Sequence, residues 1–144
     1  MKRSKELSFA KQLNLIMATK EITQQELVDS LLAGSINGKR NSYNNKVRDY
    51  LNGVATPQNY MAVIAICIVL KLSLEESELL LNKAGLSINK FSKDSNHNRN
   101  EILHYSALVD TEAFDTLAEW NDYFVNNGAS TLTFVKNAND GCEP

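Results

Sequence analysis

The sequence contains little proline, glycine or cysteine, and it has no long apolar run. Among 144 residues there are 2 prolines and 6 glycines, too few for a collagen-like or low-complexity chain, and 43% of the residues are hydrophobic, as in an ordinary globular domain. The 2 cysteines, Cys67 in an apolar run and Cys142 in an acidic tail, do not suggest a disulfide framework, and Cys67 is expected in the core. The most apolar segment, residues 60–70, is too short for a membrane span, which needs about 20 residues. We therefore expect no membrane partner.

Charge is distributed unevenly along the chain. The net charge of −2 and the pI of about 5.7 argue against a protein that coats nucleic acid through bulk positive charge. Residues 1–60, however, contain nine Lys or Arg against five Asp or Glu, whereas residues 61–144 contain six against twelve. This split predicts an anion-facing N-terminal part and an acidic remainder. The N-terminal MKRSKELS precedes an amphipathic stretch rather than the apolar segment of a secretory signal, so a cytoplasmic location is expected.

Apolar residues at helical spacing and two capping boxes predict five helices in the first 85 residues. The predicted segments are residues 8–20, a helix that starts at Thr23-Gln-Gln-Glu26, a helix with an apolar stripe from Tyr43 to Leu51 that ends at Gly53, residues 58–71, and a helix from Ser73-Leu-Glu-Glu76 to residues 84–85. Residues 87–97 are predicted as a linker because Ser, Asn, Lys and Asp dominate there. Further helices are predicted near residues 100–108 and 111–127, followed by a short strand or extended arm at 131–135 and a disordered tail at 136–144.

The order of these segments carries a family resemblance. Residues 23–31 (TQQELVDSL), residues 43–53 (YNNKVRDYLNG), Pro57, an apolar helix and LSLEESELL follow one another along the chain. This series resembles the helix-turn-helix domains of the lambda-repressor-like family, also called the xenobiotic-response-element family. The resemblance covers about residues 7–86 and implies an all-α, five-helix DNA-binding domain whose third helix enters the major groove. Residues 98–135 would then form a helical appendage that dimerises or binds a partner.

One segment departs from the family pattern. The family has a turn of only a few residues between its second and third helices, whereas residues 32–42 of this chain add roughly nine residues. Long insertions in surface loops cost little stability because the entropy of loop closure grows slowly with length. The insertion is therefore compatible with the fold, but it leaves the angle between the two helices open.

The third predicted helix carries polar side chains opposite its apolar stripe. Asn can pair with the N6/N7 edge of adenine, and Arg or Lys can pair with the O6/N7 edge of guanine. The start of the second helix and the inserted loop add amides and cations that suit phosphates. Asp49 is the exception on this face, since a carboxylate near phosphates is repelled unless it accepts from cytosine or orients Arg48. The candidate DNA-binding residues are Gln24, Gln25, Lys39, Arg40, Asn44, Asn45, Lys46, Arg48 and Asn52.

Catalytic and metal sites are not indicated. His97, Glu101 and His104 lie close in sequence, but zinc usually takes four ligands and neither cysteine is placed to help. A solvated or helix-capping role is the expectation for these histidines. The sequence has no nucleophile elbow and no glycine-rich phosphate loop. We therefore expect no enzymatic activity, no metal and no cofactor.

The C-terminal segment has an apolar and an acidic aspect. Phe114, Leu117, Trp120 and Phe124 form a stripe that either covers the first domain or is buried in a second subunit. The acidic residues are Asp110, Glu112, Asp115, Glu119 and Asp122, and we expect them to form a solvated face. A homodimer is expected because one recognition helix makes few base contacts.

Two other functions remain open at this point. The inserted loop, Asp49 and the overall acidity favour a protein-interaction module, antitoxin-like or adaptor, that keeps the fold without binding DNA and uses its acidic C-terminal helices on a basic partner. A regulator that senses a small molecule would have its pocket between the appendage and the first domain.

Overall fold

The computed structural model describes residues 8–34, 39–86, 99–132 and 134, and this part of the chain is all-α, without strands. Its helices are α1 (Phe9–Lys20), α2 (Gln24–Ala33), α3 (Arg40–Asn52), α4 (Tyr60–Leu70), α5 (Leu74–Lys83), α6 (Arg99–Val109) and α7 (Leu117–Asn126). None of these helices has the length and apolar character that a membrane span requires. The predicted linker at 87–97, the tail at 136–144 and His97 lie outside the described residues.

The helix ends follow from local side-chain chemistry. The two predicted capping boxes are present, since Thr23 and Ser73 each accept from the backbone of a glutamate three residues later, whose carboxylate in turn accepts from the N-cap backbone. Gly53 ends α3 in the left-handed conformation, with φ at 78°, which a glycine adopts without steric strain. These local signals explain why α2, α3 and α5 begin or end close to where the sequence predicts.

The connection between α2 and α3 is shorter than predicted. α2 continues to Ala33 and α3 already begins at Arg40, so the two helices are separated by residues 34–39 rather than by a loop at 32–42. Leu32 packs against the core as part of α2. On the other side, the Tyr43 N–H donates to the Lys39 carbonyl at 3.1 Å, because each residue added to a helix gains a backbone hydrogen bond. Residues 35–38 lie outside the described part of the chain.

The start of the last helix was also predicted wrongly. α7 begins at Leu117, not near residue 111, after a third capping box formed by Thr116 and Glu119. Lys71 provides the physical reason, because its Nζ donates to the carbonyls of Thr111 at 3.1 Å and Phe114 at 2.6 Å. Carbonyls held by a lysine from α4's C-terminal end are fixed in a turn, so the chain does not become helical until the Thr116 cap.

One core joins both parts of the chain. α4 is buried on nearly every side, because it packs against α2, α5, α6 and α7. Cys67 lies in its centre, as expected, and burial raises the pKa of its thiol to about 12. Leu117, Trp120 and Phe124 are buried in the same cluster as the first five helices. The aromatic stripe of the C-terminal segment therefore covers the N-terminal helices within one chain.

His104 corrects the expectation of a solvated or capping histidine. Its side chain is fully buried, with Nε2 2.8 Å from the Ser130 carbonyl oxygen and Nδ1 2.9 Å from the Tyr60 hydroxyl. A carbonyl can only accept, so Nε2 carries the proton and Nδ1 accepts from Tyr60. Burial lowers the pKa of the imidazole, and the hydrogen bond to Ser130 opposes that shift. The neutral ring joins α6 to α4 and to the chain after α7.

The arm after α7 reaches the buried side of α3. Thr131 and Leu132 form no strand, while Thr133 and Val135 of the predicted strand or arm lie outside the described residues. Phe134 is 6% exposed and its ring centroid lies 5.4 Å from that of Tyr43 and 5.9 Å from that of Tyr50. The described residues of this segment therefore contain no strand.

Candidate nucleic-acid interface

α3 presents one apolar and one polar face. Tyr43, Val47 and Tyr50 are buried, as the sequence predicts, and fix the rotation of the helix about its axis. Asn45, Arg48 and Asn52, on the other side, are exposed, while Asn44 and Lys46 are half-buried at the edges. Because residues three and four apart share a helix face, the three exposed residues form one row. The predicted polar face is therefore accessible.

The start of α2 lies beside this face. Gln24 is the first residue of α2, and its Nε2 donates to Oδ1 of Asn44 at 3.3 Å. The bond joins residues 20 apart in sequence. It places the N-terminal turn of α2, where the helix dipole favours an anion, next to the polar face of α3.

A carboxylate that the sequence reading left out organises the other end of this surface. Asp29, on the exposed side of α2, accepts from Arg40 Nη1 at 2.5 Å and from Gln25 Nε2 at 3.1 Å. The hydrogen bond from Arg40 is the main reason why the pKa of Asp29 lies below its ordinary value. Gln25 and Arg40 are thus brought together on one side chain. The spacing of four between Gln25 and Asp29 is a sequence signal for the first bond.

The remaining cations have weaker partners. Arg48 Nη2 is 3.9 Å from Oδ1 of Asp49, and both side chains are substantially exposed. Lys46 Nζ lies 5.9 Å from the centre of the Tyr50 ring, within range of a cation–π contact. Lys39 is exposed at the N-cap of α3 and its side chain does not cap the helix. Exposed ion pairs such as Arg48–Asp49 contribute about 0.2–1 kcal/mol, so Arg48 can exchange this partner for a ligand phosphate.

α1 fixes the end of α3. Asn14 Nδ2 donates to the carbonyl of Leu51 at 2.8 Å and to that of Ala10 at 2.8 Å. Phe9 packs edge-on against Tyr50 with ring centroids 6.0 Å apart. α3 is therefore held from its buried side while its polar face stays open.

The structure gives less support to a metal site or to a small-molecule pocket. No group of three His, Cys, Asp or Glu among the described residues could hold a metal ion. One open groove of about 410 Å³ lies beside α2, lined by Glu21, Ile22 and Leu27 among others, and a second of about 590 Å³ lies around Pro57. The residues that line both grooves lie between 21 and 86, and none belongs to α6 or α7, where a pocket between the two parts of the chain would have one wall.

Comparisons of the chain with protein-family models, with curated proteins and with solved structures found no match. The function is therefore inferred from the residues of this chain and from their arrangement in the fold.

Proposed function

We propose that the protein is a sequence-specific DNA-binding transcriptional regulator, in which α2 and α3 form a helix-turn-helix of the lambda-repressor type and α3 enters the major groove. The observation that carries this proposal is the hydrogen bond of 3.3 Å between Gln24 and Asn44. It joins the start of α2 to the polar face of α3. In a helix-turn-helix the second of the two helices reads bases while the first crosses the backbone.

The polar row of α3 suits the reading of base edges. Asn45 and Asn52 carry amides that can bond adenine, Arg48 carries the fork that fits guanine, and Lys46 adds a charge at the edge. A good bidentate contact discriminates between bases by about 1–3 kcal/mol. Asn44 has a second task, because its Oδ1 holds Gln24 and its amide N–H groups remain as donors.

Four residues around the row suit phosphates. Gln24 and Gln25 lie in the first turn of α2, and Lys39 and Arg40 lie at the start of α3. Each cation that neutralises a phosphate releases counterions, so binding should weaken steeply as salt increases. A homodimer would place two copies of α3 on half-sites about 34 Å apart, which is one turn of DNA.

The first test is selection of bound fragments from genomic DNA, followed by fluorescence-anisotropy titration of the selected duplex and of a scrambled duplex at several salt concentrations. We expect tight binding to the selected duplex, weaker binding to the scrambled one, and a linear fall of log affinity with log salt. A folded protein that selects no sequence and binds neither duplex at low salt contradicts the proposal.

Variants of the polar row sharpen this test. Asn45→Ala and Arg48→Ala should each weaken binding to the selected duplex by about 1–3 kcal/mol and relax the choice of base at one position. The matched controls are Asn82→Ala and Lys83→Ala at the end of α5, outside the proposed surface, which should leave the titration unchanged. Equal losses in the controls would show that the polar row is not the contact surface.

One observation favours a second function. Asp29 holds Arg40, and Asp49 lies 3.9 Å from Arg48, so two of the cations on this surface are already paired with carboxylates. We infer as the alternative a protein-interaction module, antitoxin-like or adaptor, that binds a basic partner through its acidic C-terminal helices. The DNA titration separates the two, because the module would bind neither duplex while a basic partner protein would still associate in a salt-dependent way.

A further inference from the structure

Helix α7 in the C-terminal half contacts the end of α2. Leu117 of α7 lies so close to Gly34 that a Cβ added there would be 2.6 Å from its Cγ. On the same side of α7, the Asn121 side chain is 5% exposed and its Nδ2 donates to the Gly34 carbonyl at 3.0 Å. Gly34 is the C-cap of α2 and the first residue of the connection to α3. α7 therefore holds the chain at the point where it leaves α2.

The same amide also holds the arm that reaches α3. Asn121 Oδ1 accepts from the Leu132 N–H at 2.8 Å. Two residues later, Phe134 packs on the buried rings of Tyr43 and Tyr50. One side chain thus connects the end of α2 with the arm that packs against α3.

Such a bridge fixes geometry because both halves of the amide are used. An Asn side chain has one oxygen acceptor and one NH₂ donor, and here each has a backbone partner from a different segment. Hydrogen bonds are directional, whereas apolar contacts tolerate sliding. α2 and α3 also bond each other directly, through Gln24–Asn44 and Asp29–Arg40, but these bonds lie at or near the exposed surface, whereas Asn121 acts from the buried side.

We propose that Asn121 is a positioning residue of the DNA-binding surface, and that through it the C-terminal half contributes to the angle between α2 and α3. This inference rests on the proposed DNA-binding function. It gives α7, residues 129–132 and Phe134 a regulatory place, because an event that moves α7 away from Gly34 also loosens the support of α3. Specific DNA binding depends on this angle, since base readout needs α3 in register with the groove, whereas contact with phosphates alone depends on it much less.

The test compares three full-length variants. Asn121→Ala removes both bonds, and Asn121→Asp keeps an acceptor for Leu132 but loses the donor to Gly34. The matched control is Thr111→Val, which removes the buried bond of 3.2 Å from Thr111 Oγ1 to the Leu72 carbonyl in the same half of the chain without touching α2 or α3. Each is measured for affinity to the selected duplex, affinity to the scrambled duplex, and amide hydrogen exchange, at a temperature where circular dichroism shows it folded.

We expect Asn121→Ala to lower the affinity for the selected duplex about tenfold, to leave the scrambled duplex within about twofold, and to speed amide exchange in the first turn of α3. Asn121→Asp should give the same pattern, because the contact with Gly34 is lost in both. Thr111→Val should leave the ratio of the two affinities unchanged. Equal losses on both duplexes, or the same change of ratio in Thr111→Val, would overturn the positioning role.

Two further measurements make the outcome clear. If Asn121→Ala does not fold, Phe134→Leu tests the same bridge by removing the ring contacts with Tyr43 and Tyr50 while keeping an apolar side chain, and it should change the affinity ratio in the same direction. If the wild-type protein binds neither duplex, the proposed function fails, and exchange alone then decides the bridge. Unchanged exchange in α3 of Asn121→Ala would refute the bridge in either case.

Discussion

The α2–α3 surface and the C-terminal half use polar side chains in opposite ways. On the surface, Gln25 and Arg40 each donate to the carboxylate of Asp29 in contact with solvent. In the C-terminal half, His104 and Asn121 are buried and bond the backbone of distant segments. Exposed pairs are worth little and exchange partners easily, while a buried group without its partner costs about 1–3 kcal/mol. The first region is therefore suited to binding a ligand, and the second to holding one arrangement of helices.

The largest expected effect comes from breaking the second region at its centre. Phe124 is fully buried and lies 4.7 Å, centroid to centroid, from the His104 ring. Phe124→Ala should lower the free energy of unfolding by about 3–5 kcal/mol in urea denaturation, because it removes apolar contacts and leaves a cavity. The control Val125→Ala, at a position 54% exposed, should stay within about 0.5 kcal/mol.

The same variant tests whether the two regions form one unit. Since the seven helices share one core, unfolding followed by the Trp120 fluorescence and by circular dichroism should give coincident transitions. A Phe124→Ala protein that loses the fluorescence transition early, while most helicity unfolds later, would show that the first five helices are stable without the C-terminal half.

The contrast between the exposed surface and the C-terminal half also explains which features the sequence could predict. The stripe of Tyr43, Val47 and Tyr50 identifies the exposed row of α3 without any structure, because helical spacing alone assigns each position to a face. The boxes at Thr23 and Ser73 likewise use residues only three apart. Most of the α1–α5 region and the polar row of the candidate site are local features of this kind.

The errors lie where distant segments meet. The third capping box at Thr116 is visible in the sequence, but the bonds from Lys71 that hold the chain before it in a turn come from a distant helix end. The hydrogen-bond partners of buried His104 and Asn121 lie 11 to 87 residues away, beyond the reach of helical spacing. Asp29 was missed although Gln25 lies four residues before it, because its bond with Arg40 crosses the connection between two helices.

A smaller effect is expected where the two regions touch. Gly34→Ala adds a Cβ that meets Leu117 at 2.6 Å, and the backbone there has φ at −90°, so steric overlap is the main cost. Overpacking of this kind should destabilise the protein by about 1–3 kcal/mol in urea denaturation. Ser30→Ala, at an exposed position of the same helix, is the control and should change stability little. If Gly34→Ala leaves the stability unchanged, Leu117 does not contact Gly34 this closely in solution.

Buried His104 predicts a pH dependence that the exposed surface does not share. Its pKa is lowered by burial, whereas in the unfolded chain it lies near the ordinary value of about 6.5. The unfolded state therefore takes up the proton first, so this contribution to stability is complete above about pH 6.5 and is lost progressively as the pH falls below it. Thermal unfolding between pH 7.5 and 5.5 should show this loss in the wild type. His104→Gln, which does not titrate there, should show a flatter profile, and equal slopes would exclude the buried imidazole as the cause.

The smallest expected effect tests the exposed α2–α3 surface. Asp29→Asn removes a carboxylate beside the proposed phosphate contacts and frees Arg40 from a bond of 2.5 Å. Because an exposed ion pair contributes little and is screened by salt, the affinity for a scrambled duplex should rise by at most about fivefold at low salt, and the gain should shrink as salt increases. Asp122→Asn, an exposed acid on α7, is the matched control and should leave the titration unchanged. A fall in affinity for Asp29→Asn would instead mean that this carboxylate aims the guanidinium at the phosphate, and the surface would then be preorganised rather than free to exchange partners.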